Sequence, residues 1–193
     1  VSGMHRTSDT SIALSEKLAT ISAINDPAIL FAATGSEAND FLIKVMKYGA
    51  FDEGQADGLK FISRQQSYHG GTLASASLTG GHHSEFGLPL PGFCHVSQPD
   101  FHGGRLPGET EEEFCKRLIL EVENLIIREG QHSIAGFFAE PVSFSAGLHA
   151  PPANYFSSLK KLLNFYGIDL VADEVVTGFG RTGKMWGSES VDL

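Results

Sequence analysis

The stretch "ADEVVTGFGRTGK", Ala172 to Lys184, fits three patterns of residues that do chemistry. Gly178, Gly180 and Gly183 match the dinucleotide fingerprint G-x-G-x-x-G, whereas Gly178, Gly183 and Lys184 match most of a phosphate loop, G-x-x-x-x-G-K. Asp173 and Glu174 close an apolar run, as acidic residues do at the strand end of an NTPase. A phosphate loop leaves its strand at once and opens a helix with Ser or Thr for magnesium. Here Met185 follows Lys184, and "MWGSESVDL" opens no amphipathic helix. The dinucleotide motif puts its first glycine in the turn directly after the strand, but Asp173 to Thr177 intervene before Gly178. What survives is a pair of carboxylates at the end of a buried strand, followed by a glycine-rich loop. Taken alone, Asp173 also reads as a helix cap or a structural ion pair.

Positioning those carboxylates takes a sheet. Apolar runs of strand length recur at Ile29–Ala33, Leu59–Ser63, Phe93–Val96, Ala135–Ala139 and Ile168–Ala172. Between most of them apolar residues return at helical intervals: Phe41, Leu42, Val45 and Met46; Phe114, Leu118, Val122, Leu125 and Ile126; Tyr155, Leu159, Leu162 and Leu163. Pro151 and Pro152 before the last of these and Gly167 after it are the expected punctuation of a helix. A further helix is expected over Ile12 to Ile21. The acidic run Glu109 to Glu113 suits a helix start, where the dipole favours negative charge. Gly80 to Gly108, rich in Gly, Pro and His, breaks the rhythm as a long excursion. Alternating strands and helices predict an α/β fold: three layers, a mostly parallel sheet flanked by helices.

Ligands of such sheets bind at the carboxyl ends of the strands. The predicted ends are "TGSEAND", "RQQSYHGGT", "EPV" and "DEV". Gly35 allows close backbone approach, and Ser36 offers a hydroxyl at the positive end of a helix. Thr34 and Glu37 are spaced as a capping box, and a plain cap is the rival reading of this turn. Tyr68 offers an aromatic face to a flat ring, and Asp173 in a low-dielectric setting would bind a ring N–H cation strongly. An anion cradle, a ring platform and a cation partner together describe pyridoxal 5′-phosphate.

Composition removes other classes. The 193 residues are 41% hydrophobic and 19% charged, as a globular chain is. A formal net charge of -9 opposes phosphodiester backbones, so nucleic acid is a poor partner. No apolar run reaches the ~18 residues of a membrane helix. Cys94 and Cys115 form no C-x-x-C, which predicts no disulfide framework and a reducing, cytoplasmic setting. None of the eight histidines sits in H-E-x-x-H, and His82–His83 is an adjacent pair on a glycine-flanked loop, so no metal is expected.

The segments "TGSEAND", "SRQQSYHGGTLASASLTG", "LPLPGFCHV", "EPVSFSAGLHAPPANYF" and "LVADEVVTGFGRTGKMWG" run through nearly the whole chain. In their order they resemble the class III aminotransferases, pyridoxal-phosphate enzymes of fold type I. The resemblance implies that Gly35 and Ser36 hold the phosphate, with Tyr68 stacked on one ring face and Val175 packed on the other. It gives His69 and Gly70 the shaping of the turn, Asp173 the ring nitrogen, and Glu140 the organisation of the substrate side. Many members carry glutamine after "DEV". Val176 in its place resembles the ω-amino acid or amine:pyruvate branch and points away from an ornithine or γ-aminobutyrate enzyme. An amine donor, a keto-acid acceptor and a homodimer are implied with it. Residues 1–193 then correspond to the core of the cofactor-binding large domain. The cofactor-holding lysine, the N-terminal substrate residues and the small domain are expected outside it, so this stretch by itself should be inactive. Rival readings are an aminomutase or decarboxylase of the same fold, or a binding module without catalysis.

Overall fold

Phe61 and Ile62, consecutive in one strand, are both fully buried yet belong to different cores. Successive strand side chains point to opposite faces, so both faces of this sheet are covered. The computed structural model describes residues 8–52, 59–81, 84–191 and 193. His82 and His83 lie outside them. Two compact units are present, Val1–Ala32 and Ala33–Leu193.

In the first unit, helix α1 (Asp9–Ile21) is capped reciprocally by Ser8 and Ser11 and buries no residue. The second holds a sheet of β1 (Lys60–Arg64), β2 (Phe93–Val96), β3 (Ile134–Ala139) and β4 (Asp169–Ala172). All pairings are parallel, in the order β2-β1-β3-β4. Helices α2 (Gly35–Asp52) and α3 (Leu73–Leu78) cover one face, where Ile43, Phe61, Leu78 and Phe138 form a core. On the other lie α5 (Glu111–Glu129) and α6 (Tyr155–Tyr166), packed over Ile62, Phe137 and Ala139 through Phe114, Leu118, Leu159 and Leu163. The three-layer, parallel α/β arrangement predicted from the alternation is therefore present.

Local chemistry explains the ends of these helices. Thr110 and Glu113 close a capping box at α5, beneath Glu111 and Glu112, which favour the positive helix end. Gly167 ends α6 at φ 68°, a left-handed conformation that glycine adopts without strain. The excursion from Gly80 to Gly108 is less irregular than its composition suggests, since β2 and the short α4 (Phe101–Gly104, capped by Asp100) lie within it.

One expected strand is absent. Ile29–Ala33 forms no ladder, and Leu30 and Phe31 are about half exposed. An apolar run makes a strand only where a neighbour completes its hydrogen bonds, and none does so among the described residues. Elsewhere the predicted strand bounds differ by one residue at most.

Leu159 is fully buried at the centre of the α5–α6 core. Leu159→Ala should cost about 2–5 kcal/mol, read as a lower urea midpoint of the full-length protein. The exposed Phe165→Ala on the same helix should change it little.

Candidate active site

Parallel strands bring their carboxyl ends to one rim, and β1, β3 and β4 deliver Arg64, Glu140 and Asp173 there. The Asp173 N–H donates to the Ala139 carbonyl at 2.8 Å, extending the β3–β4 ladder by one residue. This fixes the Asp173 backbone before its side chain makes any contact.

The Asp173 carboxylate is almost buried, its side chain 9% exposed. Oδ2 lies 2.9 Å from Nδ1 of His69 and accepts from Nδ2 of Asn39 at 3.1 Å. Oδ1 accepts from the Val175 N–H at 3.2 Å. Burial by itself pushes this carboxyl up. The hydrogen bond and charge of His69, the Asn39 amide and the Val175 N–H outweigh it and hold the group below its ordinary value. The site is thus built around a carboxylate kept negative in a dry place.

His69 is itself enclosed. Its N–H donates to Oγ1 of Thr79 at 3.0 Å, its carbonyl accepts from Asn39 Nδ2 at 2.8 Å, and its ring meets Phe138 edge-on. Asn39 therefore bridges His69 and Asp173 with one amide nitrogen. Asn39 lies one turn inside α2 and Thr79 directly follows α3, so two helices hold the pair.

The turn after His69 is tight. Gly70 has φ 134°, and a Cβ there would collide with Oγ of Ser36 and of Ser75. Oγ of Ser36 accepts from the Gly71 N–H at 3.0 Å, joining the start of α2 to the turn before α3. Thr34 accepts from the Glu37 N–H, but the Glu37 carboxylate reaches back to the Ala33 N–H rather than to Thr34. The capping box expected there forms one half as written and the other half shifted by one residue. Gly35 faces Val175, whose Cγ2 would lie 3.7 Å from a Cβ at that position. Tyr68 and Val175 are both exposed, 52% and 68%, beside a polar centre that is not.

Glu140 is buried, and burial raises its carboxyl above the ordinary range against the opposing charges of Arg64 and His69. The structure thus brings Gly35, Ser36, Tyr68, His69, Gly70, Glu140, Asp173 and Val175 to one rim. A hollow of about 580 Å³ opens beside them, lined by Phe144, Leu148, Val175, Val176 and Arg181 among others.

Two participants, Asn39 and Arg64, escaped the sequence reading, and a third, Glu174, was noticed there without a role. Asn39 was inside "TGSEAND", three residues past Ser36 and so on the next turn of the same helix face, a spacing that was available. Arg64 ends β1 and is fully buried. Glu174 accepts from Oγ1 of Thr177 and from the Gly187 and Ser188 N–H groups at 2.8 and 2.7 Å, closing the glycine-rich loop on itself. That closure is what "GFGRTGK" serves in the fold.

Comparison with known proteins bears on this arrangement. The model of the family "Aminotransferase class-III" matches residues 2–193. A γ-aminobutyrate transaminase 3, chloroplastic, of Solanum lycopersicum is 44% identical over 192 residues, 98% of this chain and 37% of the relative. A vanillin aminotransferase of Capsicum chinense is 41% identical over 98% of this chain and 42% of its own length. The chain thus spans less than half the length of these relatives. Among solved structures, an ω-aminotransferase from Paracoccus denitrificans superposes with TM-score 0.95 at 43% identity, covering 98% of this chain and 42% of that one. A PLP-bound aminotransferase mutant from Vibrio fluvialis gives 0.96 at 42% identity, covering 100% and 43%.

Two outcomes follow from the geometry. Gly70→Ala should displace the Ser36–Gly71 contact and lower the melting temperature, because both the φ and the space forbid a side chain. Asp173 has a folded pKa below its unfolded one, so its charge stabilises above the ordinary carboxylate range and ceases to as pH falls through the folded value. The melting-temperature gap between the parent and Asp173→Asn should therefore narrow below about pH 4. A gap that widened in acid would contradict the assignment.

Proposed function

The chain belongs to the class-III aminotransferases, and from that premise we propose that the full-length protein moves an amino group from an amine or ω-amino acid to pyruvate or a similar keto acid. The observation that carries the reading is the buried, negatively held Asp173 between His69 and Asn39, at a rim that also bears Ser36 and Gly70.

Class-III aminotransferases work with pyridoxal phosphate. The residues here suit that group. An anionic carboxylate kept from water matches a protonated ring nitrogen. The Gly35–Ser36 helix start, packed against a turn that admits no side chain at Gly70, suits a phosphate. Exposed Tyr68 and Val175 supply apolar cover for the two ring faces. When bound, the cofactor supplies an electron sink for negative charge that develops on the substrate carbon.

The chain's own residues then divide the work. Asp173 holds a proton on the ring nitrogen, and its bonds to His69 and Asn39 keep the carboxylate from turning away. His69 and Gly70 set the turn that lets Ser36 face the phosphate. Glu140 organises the substrate side, and Val176 leaves an apolar wall without a side-chain hydrogen bond in the neighbouring hollow. The plant relatives named for γ-aminobutyrate return that ω-amino acid to the candidate donors, against the direction in which Val176 points. A homodimer is supported by Phe41, Val45 and Tyr48, exposed at helical spacing on α2. A reducing setting, the cytoplasm by default, is supported by the free thiols Cys94 and Cys115, whereas relatives carry chloroplastic and mitochondrial names. Among the described residues no helix is long and apolar enough to cross a membrane.

The test is a donor panel of primary amines, β-alanine and γ-aminobutyrate with pyruvate as acceptor, run on the full-length protein supplied with pyridoxal phosphate. Alanine should form from at least one donor, and Asp173→Ala should lower kcat by about 10²–10³-fold, as loss of one preorganised charge partner does. No alanine from any donor would refute the reading, and so would an Asp173→Ala protein with unchanged turnover.

A further inference from the structure

Arg64 is the largest fully buried side chain among the described residues, and none of the roles assigned so far requires it. An arginine is not kept out of water unless something holds its charge, because the cost of desolvation is several-fold that of a neutral polar group. One guanidinium nitrogen, Nη2, donates to the Glu140 carbonyl at 2.6 Å. The same nitrogen lies 3.7 Å from Glu140 Oε2, an ion pair longer than a hydrogen bond. The Phe156 ring lies under the guanidinium, with its centroid 5.9 Å from Cζ. Arg64 thus grips Glu140 twice, by backbone and by charge.

We propose that Arg64 is a positioning residue for the candidate active site: from the end of β1 it supplies the counter-cation that keeps Glu140 ionised and fixed beside Asp173. Arg64 serves Glu140, and His69, five residues on, serves Asp173. The inference rests on the reading of Glu140 as a substrate-side residue. The short segment from Arg64 to His69 is then a paired clamp. Without its arginine, two carboxylates would share a dry rim with one histidine between them.

The groups that face Glu140 are few. Arg64 comes from β1, His69 and the Tyr68 N–H from the turn after it, and Asp173 from the end of β4. Tyr155 of α6 also interacts with Arg64, but its phenol is pushed up to about 12 by burial, so it remains neutral through the working range and gives Arg64 no counter-charge. Glu140 is the partner that remains. The direction of the effect follows from this. Burial and Asp173 push the Glu140 carboxyl up, while Arg64 is the first of the groups that pull it down. Removing the guanidinium leaves the upward pushes less opposed, so Glu140 takes up its proton at a higher pH.

The experiment is an infrared pH titration of the full-length holoenzyme, following the protonated-carboxyl band that Glu140→Gln abolishes. In Arg64→Met the midpoint of that band should rise by about 1–3 pH units, the size of effect that an adjacent charge exerts, with Arg64→Lys in between. An unchanged midpoint would overturn the proposal, since a role confined to packing leaves the proton on Glu140 untouched. If Arg64→Met does not fold, Arg64→Met/Glu140→Met decides. Removing both charges should restore a folded protein, because the lone buried charge is then gone. A double variant as unfolded as the single one overturns the inference. The titration does not depend on turnover, so a moved midpoint in a protein that transfers no amino group would sink the aminotransferase reading and leave the role of Arg64 standing.

Discussion

A carboxylate removed from water is the constraint on which this structure turns. The side chain of Asp173 is 9% exposed, and an unpaired charge there would take up a proton sooner than stay ionised. What keeps it negative is a set of donors from three places in the chain: the His69 ring, the Asn39 amide and the Val175 N–H. Each donor is itself held, His69 by Thr79 and by Asn39, Asn39 by its place in α2, and Val175 by the turn that follows β4. The arrangement gives direction as well as charge. A carboxylate with three of its lone-pair positions occupied has little freedom left, and what freedom it has faces the open rim.

The parallel sheet makes such convergence inexpensive. Strands β1, β3 and β4 are adjacent and run the same way, so residues far apart in sequence, Arg64, Glu140 and Asp173, end at the same level without any loop having to span the molecule. The two apolar cores on either face, one around Phe61 and Phe138 and the other around Ile62 and Phe137, fix the height of these ends. Polar groups at the rim can be placed within a few tenths of an ångström only because the layers beneath them are close-packed. The helix starts at Gly35 and Leu73 then close the rim from the Phe61–Phe138 face and bring the Ser36 hydroxyl to the Gly71 N–H.

How far the sequence discloses this depends on the kind of signal. Helices α2, α5 and α6 are legible from apolar spacing because each packs one stripe against the sheet. The strands of the sheet are legible as short apolar runs because both of its faces are covered. Ile29–Ala33 has the same composition and forms no strand, since a ladder is a property of two segments and a run of apolar residues describes one. Among the residues at the rim, Gly35, Ser36, Tyr68 and Asp173 are visible because they follow predicted strands or open helices, while His69, Gly70, Glu140 and Val175 enter through the family resemblance. Asn39 and Arg64 enter by neither route. Asn39 sits inside a helix where an amide usually faces solvent, and Arg64 ends a strand where a charge is usually assumed to leave the core. Burial and partner, which give both residues their importance here, have no local signature.

The same distinction explains why the segment from Ala172 to Lys184 imitates three motifs. Neighbouring residues at the end of a strand point to opposite sides, so two consecutive carboxylates cannot serve one site. Asp173 turns to His69 and Asn39, while Glu174 turns to Thr177, Gly187 and Ser188 and draws the glycine-rich loop into a closed turn. The glycines are where that loop doubles back, with Gly180 and Gly183 at φ 91° and 86° and joined by a hydrogen bond at 3.1 Å. A nucleotide-binding loop uses glycine to bring backbone N–H groups to a ligand. Here the N–H groups of Gly187 and Ser188, just beyond the loop, go to the protein's own glutamate. The sequence pattern is shared because tight turns need glycine in either case, and only the destination of the hydrogen bonds tells the two uses apart.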